Sequence, residues 1–118
     1  MKKLIVFLIF FAFLAIVQTA CAHPPSEIKI NFDSKAKMLE AVIIHNTSNL
    51  SNHYIKKVDV GLNGREIISQ SISRQDNLET QTVSYLLPDI KSRDEVSVEG
   101  YCSMSGKLEK KIKVNIEQ

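Results

Sequence analysis

Apolar and polar residues alternate with the two-residue period of a strand through most of the chain beyond residue 27. Ile28, Ile30 and Phe32 alternate with Lys29 and Asn31, and Asp33, Ser34 and Lys35 read as the turn after them. In the run Met38 to Ile44 and the next residue, Leu39, Ala41, Ile43 and His45 share one face while Met38, Val42 and Ile44 share the other, so this strand is apolar on both sides for part of its length. Val58, Val60 and Leu62 alternate up to Asn63-Gly64, a hairpin signal because both residues accept positive φ. Ile68 and Ile72 continue on the returning strand, and residues 74–79 are polar and loop-like.

Val83, Tyr85 and Leu87 make a further strand that Pro88-Asp89 ends, and residues 91–94 form a charged turn. Val96, Val98, Gly100 and Cys102 fall on one face of the next strand, which sets the thiol at its end on the inner side. Leu108, Ile112, Val114 and Ile116 are in phase on a last one. No stretch beyond residue 22 keeps a helical period. About seven short strands divided by turns predict an all-β fold, an antiparallel immunoglobulin-like β-sandwich. In such a fold the loops gather at two ends, and function sits at one of them.

The first residues obey a different pattern. Lys2 and Lys3 precede an almost unbroken apolar run over residues 4–17, and Ala20-Cys21-Ala22 fits the small-x-small rule of signal peptidase. The chain therefore divides into a signal peptide over residues 1–22 and one domain over 23–118, exported to a periplasm or secreted. Acylation of Cys21 as a lipoprotein is the rival processing and the one route to a membrane, but Gln18 stands where that signal carries leucine. Of fifteen basic residues, removing Lys2 and Lys3 leaves thirteen against thirteen acids. A domain so close to neutral is a poor partner for nucleic acid. With Cys21 removed, Cys102 is the last cysteine and an internal disulfide is excluded, in a compartment that favours one.

The chemistry-bearing residues are few. His45 and His53 stand at the two ends of one loop, His23 is the third and last histidine, and Cys102 adds a soft donor. Imidazole is the commonest protein ligand for iron, copper and zinc, and a loop held between strands can bring its two ends to one ion. No Ser-His-Asp arrangement, phosphate loop or carboxylate pair is evident. The plainer readings are a buried small hydrophobe for Cys102 and solvated loop-edge residues for His45 and His53.

His45, then His53-Tyr54-Ile55 opening a strand, and a late Cys102-Ser103-Met104-Ser105-Gly106 resemble the iron-binding domain of the superoxide reductases, the desulfoferrodoxin and neelaredoxin family. The resemblance implies an immunoglobulin-like sandwich with mononuclear non-haem iron held by in-plane histidines and an axial cysteine thiolate. Carried over, His23 with Pro25 matches the first histidine, His45 the second, His53 the third, and Cys102 the thiolate. Ser105 stands where the family has its last histidine, and Asn46 replaces a proline. The loop after His45 is longer than usual, and the Glu-Lys pair before the first histidine has no counterpart. The function implied by the resemblance is the passing of one electron, from an unidentified donor, to superoxide or another small molecule. A copper-binding or copper-carrying module and a metal-free binding sandwich are the other readings.

Overall fold

The computed structural model describes residues 22–116; the segment read as a signal peptide, Cys21 included, lies outside them apart from Ala22. Seven strands run in order: β1 (Glu27–Asp33), β2 (Met38–Ile44), β3 (Ile55–Leu62), β4 (Arg65–Ser71), β5 (Thr80–Leu86), β6 (Glu95–Cys102) and β7 (Lys107–Lys113). They pair antiparallel in two sheets, β1-β2-β5 and β4-β3-β6-β7. The all-β sandwich expected from the alternation is thus observed, with the fourth strand kept beside the third by its hairpin.

Turn chemistry sets the strand ends. Asp33 Oδ1 accepts from the backbone N–H groups of Lys35 and Ala36 at 2.9 and 3.1 Å, and closes the β1-β2 turn locally. Asn63 and Gly64 have φ of 52° and 83°, the pair of positive values that a two-residue turn matching strand twist requires. Asn63 also donates to Asp94 Oδ1 and accepts from the Glu95 N–H, which ties that hairpin to the start of β6.

The core lies between the sheets and keeps the predicted phases. Ile28, Leu39, Ala41, Ile43 and Val83 come from the smaller sheet, and Ile55, Val58, Val60, Val96 and Val98 from the larger. Met38, Val42 and Ile44, on the other face of β2, are half-buried. The register of β3 against β6 shifts between Ile55 and Lys57. That bulge takes up one residue, so Ile55 and Val58 both face the core although three positions separate them. It also sets β3 to begin at Ile55, two residues after His53.

Candidate metal centre

His45 is the next step in the alternation of β2. The strand ends at Ile44, but the chain stays extended, with the His45 N–H bonded to Glu79 O at 2.8 Å and the Thr47 N–H to Leu78 O at 2.9 Å. The inward phase of Leu39, Ala41 and Ile43 therefore carries into His45, which is 0% exposed. A polar side chain is left at the end of an apolar face.

His53 closes the loop that begins there. Asn49 Oδ1 accepts from the N–H groups of Ser51 and Asn52, and Asn49 O accepts from the His53 N–H at 3.0 Å, so the loop winds into a tight turn before β3. The turn after β6 holds the same place from the other side. Ser103 Oγ accepts from the Tyr54 N–H and donates to Asn52 O, while the Ser103 N–H bonds to Tyr54 O at 2.8 Å.

His23 arrives on the arm before β1. Pro24 confines the residue before it to extended backbone. Pro25 is buried, and the Ser26 N–H extends the β1-β2 ladder by bonding to Ile44 O. His23 Nδ1 lies 3.0 Å from Pro24 O, which leaves Nε2 as the free ring nitrogen once Nδ1 donates.

The three rings meet. Their centroids are 4.8 Å apart for His23–His45, 4.8 Å for His23–His53 and 4.7 Å for His45–His53, and one ring nitrogen from each lies within 4.8 Å of the others. Two nitrogens bound to one ion at about 2.0–2.1 Å stand no more than about 4.2 Å apart, so small ring rotations suffice to place all three on a single ion. His45 Nε2 and His53 Nε2 are buried with no hydrogen-bond partner. A buried unpartnered polar atom costs about 1–3 kcal/mol, and two of them on the rings of one cluster fit donors that a cation would satisfy. Burial first, then the neighbouring charges of His45 and His23, hold the pKa of His53 below its ordinary value, which favours the neutral ligand form. The cluster can hold a metal.

No family model and no curated protein matches this chain. What the site can do rests on its own geometry.

Cys102 stands at the same end of the sandwich, outside the converging group of three. It is buried and free at the end of β6, paired in register with Ile55. Its N–H bonds to Gly106 O, and its Sγ lies 3.5 Å from the Met104 N–H. The strand end bearing the thiol thus lies beside the approach to His53. Ser105 is an exposed residue of the same turn. Lys57 is committed elsewhere: its Nζ is 3.4 Å from Asp59 and 4.2 Å from the Tyr101 ring centre, both on the outer face of the larger sheet. A groove of about 290 Å³ on that face, lined by Asp59, Gly61, Glu99 and Tyr101 among others, includes none of the histidines.

One residue of the site was not foreseen. Gln75, from the segment read simply as polar loop, is 1% exposed and bonds to His45 twice. No periodicity marks it, since its neighbours Arg74 and Asp76 are exposed like ordinary loop residues. Only the docking of residues 74–79 against the end of β2 reveals it.

Proposed function

We propose that this chain is an exported, mononuclear metal-binding domain of superoxide-reductase type, with His23, His45 and His53 as imidazole ligands and Cys102 as thiolate ligand. The observation that supports it best is the pair of buried, unpartnered Nε2 atoms of His45 and His53 beside His23. His23, His45, His53 and Cys102 would hold ferrous iron, and bound there it would supply the one electron that, with two protons from solvent, reduces superoxide to hydrogen peroxide. The protein's part is to hold three neutral imidazoles together, keep the cluster largely out of water, and hold a soft sulfur at the same end of the sandwich. A copper-carrying module is the second reading, in which Cys102 with His45 and His53 is a soft donor set suited to copper.

Anaerobic addition of ferrous iron to the purified protein, with oxidation afterwards, tests the first reading. The expected result is one iron per chain and a thiolate-to-iron charge-transfer band that Cys102→Ala removes. Copper rather than iron in protein purified from its native compartment would favour the second. If His45→Ala combined with His53→Ala leaves metal content unchanged, the site is not a metal centre.

A further inference from the structure

Gln75 uses its full hydrogen-bonding capacity. Its Oε1 lies 2.9 Å from His45 Nδ1 and accepts from the Ile55 N–H at 3.2 Å, while its Nε2 donates to His45 O at 2.7 Å and to Asn77 O at 2.9 Å. Three of these four partners are backbone groups whose polarity is fixed. Two carbonyls demand the amide nitrogen on their side, and one N–H demands the oxygen on the other. Flipping the amide would oppose oxygen to two oxygens and nitrogen to a donor. The oxygen therefore faces His45, and the 2.9 Å contact is a hydrogen bond only when His45 Nδ1 carries the proton. A neutral imidazole has one N–H, so Nε2, the buried atom without a partner, is left as a bare lone pair.

We infer that Gln75 is the positioning residue that selects the Nδ1–H tautomer of His45 and so presents an unprotonated Nε2 to the other two histidines; this rests on the reading of the cluster as a metal centre. The same amide grips the His45 carbonyl, so one side chain fixes both the ring and the backbone that carries it. Partners that orient a ligating histidine in this way are worth about 10- to 100-fold in metal affinity. Because the partner is a neutral amide rather than a carboxylate, it sets the tautomer without adding a negative charge to the site.

Long-range proton–nitrogen NMR of the metal-free protein in mildly alkaline buffer reports which ring nitrogen of His45 is protonated, and titration with cobalt(II) chloride alone reports affinity. Wild-type protein should carry the proton on Nδ1. Gln75→Glu keeps the accepting oxygen but loses the donation to the His45 and Asn77 carbonyls, so it should keep a proton on Nδ1 and separates the ring contact from the backbone contact. Gln75→Met, similar in length with no acceptor, should lose the fixed tautomer and bind cobalt about 10- to 100-fold more weakly. The inference is overturned by a proton on His45 Nε2 in the metal-free wild type, which decides even if Gln75→Met fails to fold. It is equally overturned by a folded Gln75→Met with tautomer or affinity unchanged. Wild-type protein that binds no cobalt overturns the metal-centre reading, and the ligand role of Nε2 with it, whatever the tautomer.

Discussion

Pro24 lies against Gly106 so closely that a Cβ at position 106 would stand 2.9 Å from the Pro24 Cβ and 3.1 Å from its nitrogen. Gly106 has φ of 89°, in the region that glycine alone enters freely. Two independent constraints thus demand glycine where the turn after Cys102 meets the arm bearing His23.

Gly106→Ala is expected to push that arm away. The positive φ alone costs about 1–2 kcal/mol for a residue with a Cβ. Thermal unfolding should fall by this modest amount, while metal affinity falls further because His23 is displaced. Equal metal affinity in the two proteins would show that the contact does not position His23.

His53→Leu separates the needs of folding from those of binding. The substitution removes a buried nitrogen without a partner, so metal-free stability should hold or rise by up to about 1 kcal/mol in denaturant unfolding, while metal binding is lost. Ile55→Ala, at a fully buried core position two residues on, should instead cost about 2–5 kcal/mol.

The pH dependence has its origin in the same histidine. Its folded pKa lies below the ordinary 6.5, through burial first and then the charges of His45 and His23. As pH falls through about 6.5 the unfolded chain takes up this proton before the folded one does. Metal-free protein should therefore be most stable above that pH and lose this one group's contribution below it, down to the lowered folded value. His53→Leu should flatten this part of the curve; a wild-type protein equally stable on both sides of pH 6.5 would contradict the assignment.

Ser103→Ala removes a hydroxyl that bridges the Tyr54 N–H and Asn52 O. A loss of about 1 kcal/mol is expected, together with faster amide exchange in residues 49–54. If exchange there is unchanged, the turn after β6 does not hold the loop that carries His53.

Most strands were readable in the sequence because they bury one face, and a two-residue alternation is the direct imprint of that burial; β4, exposed except at Ile68, was placed instead by the Asn63-Gly64 turn before it. Counting along β6 sets Cys102 on the inner side, where it is buried; counting along β2 leaves His45 either in phase with the core-facing residues or the first to leave them, and its burial decides for the former. The bulge between Ile55 and Lys57 was not readable, because it exists only in the pairing of β3 with β6. Neither was the arrival of His23, which depends on an arm seated against Gly106, more than eighty positions away in a chain of 118. Gln75 was hidden for a related reason: its partners are backbone groups of other segments, and backbone groups leave no mark in composition.

Ligand donors drawn from residues 23, 45 and 53, with the turn after Cys102 buttressing two of them, do not exist as a set in the unfolded chain. An ion binding the folded form alone, present at a hundred times its dissociation constant, adds about 2.7 kcal/mol to stability by mass action. The ion acts as a clasp that closes only on a finished sandwich. Any ion that the cluster holds is therefore bound by the folded sandwich, and its contribution to stability rises with the logarithm of its concentration.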